Sequence, residues 1–166
     1  MTPAFLEACL ANNLQTAEAL LEITIPPAWL DERDLMQLRL EQVRVEPAYA
    51  PWMLRAMRLR ETGQMVGHIG FHTQPGAEYL RALAPDGVEF GYTVFPQFRR
   101  HHYAHEASVA LMRWTQTTYG VNRFVVSVRP DNVPSLGLIH NLGFQKIGSQ
   151  IDEEDGPEDI FSLYCS

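Results

Sequence analysis

Six residues, RFVVSV from Arg123 to Val128, constrain this chain most. The run is short and β-branched and reads as a buried central strand. Such a strand needs cover on both sides, so it belongs in the middle of a sheet with helices packed on it. A helix-period stretch, YAHEASVALMRWTQTTYG, precedes it, with Ala104, Ala107, Leu111 and Trp114 expected on the inner side. A second helix near Ser135 to Asn141 follows it. The surrounding pattern is therefore strand, helix, strand, helix.

The rest of the chain extends this order without repeats or low-complexity linkers. Thr2 and Pro3 cap and start a helix through about Ala11, and LQTAEALLEI is helical after Asn12 and Asn13. IPPAW reads as a proline break. DERDLMQLRLEQV reads as a helix with Leu35, Leu38 and Val43 near one face, and EPAYAP as a second break. WMLRAMRLR alternates like a strand, RETGQ turns, and MVGHIGFH returns as the second arm of a hairpin. TQPGAEYLRALAPDG is a long loop with room for a helical turn. VEFGYTVF is the next strand. A strand from about Phe144, the acidic turn DEEDGPED and the strand DIFSLYC close the chain.

Charge and cysteine content exclude some functions. The 166 residues suit one domain, and a formal net charge of −7 argues against broad nucleic-acid or anionic-membrane binding. It suits a cationic amine. Cys9 and Cys165 form neither a disulfide framework nor a ligand cluster, which points to a reducing cytoplasm. MTPAFLEACLANN has no basic n-region and no long apolar run, so it reads as neither signal peptide nor membrane anchor.

FPQFRRHHYAHEA, Phe95 to Ala107, joins a strand to a helix. Such a turn presents unpaired N–H groups to a phosphate, usually through glycine, and His102 holds the glycine place here. Three readings compete. The His102 side chain blocks phosphate. It donates a charge-assisted hydrogen bond to it. Or the turn has helical angles that any residue can hold, leaving the imidazole solvated.

FGYTVFPQFRRHHYAHEA followed by SVRPDNVPSLGLIHNLGF resembles the GNAT superfamily of acetyl-CoA-dependent N-acetyltransferases, closest to the branch with the ribosomal-protein N-terminal acetyltransferases. The resemblance spans about Trp52 to Phe161. The family's phosphate loop falls on Arg99, Arg100, His101, His102, Tyr103 and Ala104, with His102 the departure. Its Asn-x-x-Ser and Leu-Gly-Phe signals fall on Asn132, Ser135, Leu142, Gly143 and Phe144. The implied fold is α/β (α+β): a mixed, mostly antiparallel twisted sheet flanked by helices. The family's first strand is either missing or upstream of this start, which would leave an edge able to pair with another chain. The implied organisation is a single N-acetyltransferase domain over 1–166, with 1–50 as a helical acceptor-side region and 51–166 as the sheet core with the cofactor site.

The resemblance implies that acetyl-CoA lays its pantetheine along Phe90 to Val94, pairing at Tyr92, Thr93 and Val94. Its pyrophosphate would rest on the N–H groups of Arg100 to Ala104. Helix-terminal N–H groups and the helix dipole favour that independently. It implies acetyl transfer to a primary amine of a protein N-terminus, a polyamine or a small molecule. The alternative is a GNAT-fold binding or regulatory protein with weakened catalysis. Homodimers are common among such proteins, and no metal is implied.

The chemistry needs a base, an oxyanion donor near Thr93 or Val94, and a proton for the thiolate. The family's usual tyrosine acid falls on Ile139, so Ser135 is the candidate acid, against a plain helix-start role. Asn132 holds either the cofactor or its own turn. Glu89 and His72 are candidate bases, against a solvated strand end and a hydrogen-bonded strand histidine. Tyr92 could line the acceptor pocket or the core. His68 and His72 stand four apart on a strand, roughly 13 Å, too far to share an ion. His101 and His105 have zinc-compatible helical spacing but lack a third ligand. DEEDGPED lacks the ligand pattern of a calcium loop.

Overall fold

The computed structural model describes residues 1–152 and 156–165. Six strands form one mixed sheet: β1 (Arg55–Arg58), β2 (Met65–Phe71), β3 (Gly87–Val94), β4 (Arg123–Val128), β5 (Gln145–Asp152) and β6 (Gly156–Tyr164). Their order is β1-β2-β3-β4-β6-β5. The β-branched run Arg123–Val128 is β4, an interior strand, parallel to β3 and antiparallel to β6. β1 pairs with β2, and β5 with β6, antiparallel. The sheet is therefore mixed and mostly antiparallel, as expected.

The chain divides into two compact units. The first comprises Met1–Gly70 with Tyr92–Tyr103. It contains α1 (Pro3–Leu10), α2 (Leu14–Leu21), α3 (Pro27–Leu30) and α4 (Arg33–Val45). Thr2 Oγ1 and Asn13 Oδ1 cap α1 and α2 by accepting the N–H groups of Phe5 and Thr16, each at 3.3 Å. IPPAW is not simply a break: Pro27 starts the short α3, where its missing N–H costs nothing. EPAYAP becomes part of a 3-10 turn, Pro47–Trp52, so the first strand begins three residues later than Trp52. The buried face of α4 is Met36, Arg39, Leu40 and Val43, while Leu38 is exposed. Arg39 takes a core-facing place, and its Nη1 donates to Gln42 Oε1 at 2.7 Å.

The second unit comprises Phe71–Gly91 with Ala104–Ser166. It holds nearly all of α5 (Tyr103–Tyr119) and all of α6 (Val133–Asn141). Ser108, Leu111, Met112 and Thr115 form the buried stripe of α5, whereas Ala104, Ala107 and Trp114 are half-buried. Two hydroxyl residues thus occupy the inner face. Thr115 is satisfied there by donating to the Leu111 carbonyl at 2.8 Å. Phe90 packs edge-on against Phe71, Phe124 and Phe144, an aromatic centre whose pairs add to the burial energy.

Candidate functional site

The turn between β3 and α5 lies in the first unit. Arg99 is extended, with φ −69° and ψ 164°. Arg100 and His102 then adopt positive φ, +67° and +62°, before α5 starts at Tyr103. The reading of ordinary helical angles at His102 is therefore corrected: the imidazole sits on a left-handed backbone position, where glycine is favoured sterically. Histidine is among the non-glycine residues that enter this region most readily. Successive backbone N–H groups of a turn with left-handed residues can form an anion-binding concavity. The unpaired N–H groups at the start of a 17-residue helix add to it.

Other side chains fix this turn. Arg99 Nε donates to the Val94 carbonyl at 3.1 Å, tying the turn to the end of β3. His101 and Tyr103 stack with ring centroids 5.4 Å apart. Tyr92, Thr93 and Val94 are half-buried, and Phe95 N–H donates to the Val66 carbonyl at 3.0 Å. Gly67 lets the two strands approach: a Cβ there would lie 2.1 Å from the Thr93 carbonyl oxygen.

The second unit brings together Glu89 and His72, the two candidate bases. The ladder between β3 and β4 runs from Gly87 opposite Arg123 to Glu89 opposite Val125. Glu89 is only 3% exposed, so it is not a solvated strand end. Its Oε2 lies 3.5 Å from His72 Nδ1 and accepts the Tyr79 O–H at 2.7 Å. Burial alone would raise the Glu89 pKa. Hydrogen bonding and charge from His72, with bonds from Ser127 and Tyr79, outweigh burial and hold it at about 2. His72 is half-exposed, and its Nε2 lies 2.7 Å from where a Cβ on Gly91 would stand. Tyr79, Ser127 and Gly91 carried no sequence signal. Tyr79 sits in a 3-10 turn of the long unpatterned loop, and a glycine that makes room for a ring looks like any other.

Asn132 is the N-cap of α6: its Oδ1 accepts the Ser135 N–H at 3.3 Å. Ser135 is half-buried on the first turn. Ile139, the place of the family's tyrosine, is fully buried core. Among the described residues, no group of three or more His, Cys, Asp or Glu is placed to hold a metal ion. Part of the acidic turn DEEDGPED, residues 153–155, lies outside the described residues. No helix among the described residues is long and apolar enough to cross a membrane.

Residues 4–145 match the family model of the acetyltransferase (GNAT) domain, and the chain belongs to that family. Over 106 residues it is 30% identical to the uncharacterized N-acetyltransferase p20 of Bacillus licheniformis, covering 64% of this chain and 56% of that protein. The chain spans about half the length of the curated relatives it matches. In fold it is similar to a putative ribosomal-protein-serine acetyltransferase from Vibrio cholerae, with TM-score 0.64 and 18% identity over 99% of this chain and 90% of that one. It is also similar to the Microcin C7 self immunity acetyltransferase MccE, solved with acetyl-CoA and AMP, with TM-score 0.60 and 16% identity over 98% and 88%.

Proposed function

We propose that the protein transfers acetyl from acetyl-CoA to a primary amine by direct attack in a ternary complex. The observation that carries this reading is the turn Arg99–His102, whose left-handed residues lead into the N-terminus of α5. Backbone N–H groups of Arg100, His101, His102, Tyr103 and Ala104 would hold the pyrophosphate, with the Arg99 and Arg100 side chains adding positive charge. The pantetheine would pair along Tyr92, Thr93 and Val94, and a backbone N–H at Thr93 or Val94 would receive the oxyanion. Glu89 and His72 would together serve proton removal. Ser135 would protonate the leaving thiolate, with Asn132 holding the start of α6 that carries it. Family membership supports acetyl-CoA as the donor, as does the acetyl-CoA in the MccE structure. The whole of 1–166 would act as one acetyltransferase domain, with residues 1–50 on the acceptor side. The acceptor would be a protein N-terminus, a polyamine or a small amine.

A second reading, a regulatory protein of this fold with lost catalysis, is favoured by one observation: a side chain stands at the left-handed position of His102. Calorimetric titration with acetyl-CoA, on wild type and His102→Gly in parallel, separates the two. Micromolar binding by wild type is the expected result. No binding by wild type, restored by glycine, would overturn the catalytic reading.

A further inference from the structure

We infer that Glu32 and His68 together seat the ammonium group of the acceptor, which makes the acceptor a primary amine taken up in its protonated form. The acceptor role rests on the acetyl-transfer reading above; the ammonium site rests on geometry. His68, on β2, is 4% exposed, and neither of its ring nitrogens has a hydrogen-bond partner within the protein. Buried polar atoms are nearly always paired, because an unpaired one opposes folding. Packing holds the ring instead. Trp29 and Phe95 meet it edge-on, with centroids 5.4 and 6.2 Å away. The Trp29 indole N–H is spent elsewhere, donating to Cys9 Sγ at 3.4 Å.

The charged group that faces the ring is Glu32. Its Oε1 lies 3.9 Å from His68 Nε2, too far for a hydrogen bond. Glu32 is the N-cap residue of α4, yet its side chain makes no capping bond there. It turns to His68 with 34% of the side chain exposed. A carboxylate open to solvent thus stands beside an imidazole that is not.

The gap fits one chemistry. Two acceptor atoms 3.9 Å apart can both lie about 2.8–3.0 Å from a single nitrogen placed beside them, the length of a charge-assisted hydrogen bond. That nitrogen needs two N–H groups and, next to a carboxylate, a positive charge. A primary ammonium has both. The N-acetylated product has one N–H and no charge, so the same seat releases it. No protein partner fixes the His68 tautomer, which leaves the ring able to put its lone pair on Nε2. The net charge of −7 favours the approach of a cation. The place also suits the reaction. Gly67, next to His68, is the residue whose Cβ would meet the Thr93 carbonyl, and Phe95 follows the proposed cofactor-pairing segment. Trp29, Glu32, His68, Thr93 and Phe95 all belong to the first compact unit.

The test has two arms. In the first, nitrogen-15 NMR follows the His68 ring, with and without coenzyme A, during titration with spermidine or with a short peptide carrying a free α-amino group. The expected result is a saturable change at Nε2 with at least one of the two, which identifies the source of the ammonium. The N-acetylated peptide should give no change, and neither should either amine in Glu32→Gln. No response of His68 to either amine overturns the site. In the second arm, turnover is measured with acetyl-CoA and the responding amine. Glu32→Gln should raise the acceptor KM about 10-fold or more, the size of one hydrogen bond to a charged group, with acetyl-CoA KM unchanged. His68→Phe keeps an aromatic ring between Trp29 and Phe95 but removes the unpaired nitrogens. It should raise the acceptor KM about 3- to 10-fold while the melting temperature holds or rises. A wild-type acceptor KM in Glu32→Gln overturns the acceptor role, whether or not His68→Phe folds. A wild type that binds amine at His68 and turns none over withdraws the acetyl-transfer reading and leaves the ammonium site standing.

Discussion

Glu89→Gln should change how stability depends on pH, and the size of the effect follows from the site. In the folded protein the Glu89 carboxyl is held at about 2 against an ordinary 4.5, because bonds from His72, Ser127 and Tyr79 outweigh the burial that opposes them. A depressed carboxyl stabilises the fold above its unfolded value and loses that contribution as pH falls toward its folded value. The full contribution is at most about 3 kcal/mol, from about 2.5 units at 1.36 kcal/mol each. Between about pH 5.5 and about pH 3, linkage removes about 2 kcal/mol of it. Glutamine does not titrate, so the stability difference between wild type and Glu89→Gln should shrink by about 2 kcal/mol over that interval. Urea unfolding midpoints of both proteins at the two pH values measure this directly. Parallel loss of stability, with the difference unchanged, would refute the claim that buried hydrogen bonds hold this carboxylate ionised.

Three further outcomes are expected. His102→Gly removes a side chain from a left-handed position and should add about 1 kcal/mol, raising the melting temperature by about 2–4 °C in a scanning experiment; a fall would mean the imidazole stabilises the turn. Gly67→Ala places a Cβ 2.1 Å from the Thr93 carbonyl and should cost more than about 3 kcal/mol, seen as loss of soluble protein; an unchanged denaturation curve would contradict the close approach. Ser135→Ala keeps the Asn132 cap, which uses the Ser135 N–H and not its hydroxyl, so stability should move by less than about 0.5 kcal/mol. Its kcat should fall about tenfold or more if the hydroxyl protonates the thiolate, and an unchanged kcat would end that role.

Much of the fold was legible because its signals are local. RFVVSV is short and rich in valine and became an interior strand, and Pro3, Asn13 and Asn132 sit where helices begin. Inner faces were harder to read. Arg39, Ser108 and Thr115 are buried, and a pattern that counts only apolar residues rotates α4 and α5 away from their true stripes. The carboxylate–imidazole pair was half legible: Glu89 and His72 stand out as types near strand ends, but nothing in their spacing says that they meet. Tyr79 was invisible, since a loop residue's partner depends on the path of the whole loop. The left-handed angles at Arg100 and His102 were equally hidden, because neither residue is glycine.

Those two angles carry a consequence for thermal behaviour. Each left-handed residue costs about 1–2 kcal/mol, and a bound pyrophosphate would repay it through the same N–H groups. Folding and ligand occupancy are then linked. At a ligand concentration 100 times its Kd, the folded state gains about 2.7 kcal/mol, which for a chain this size moves the melting point by about 5–10 °C. The turn would thereby make the protein's lifetime in a warm cell a readout of its cofactor supply.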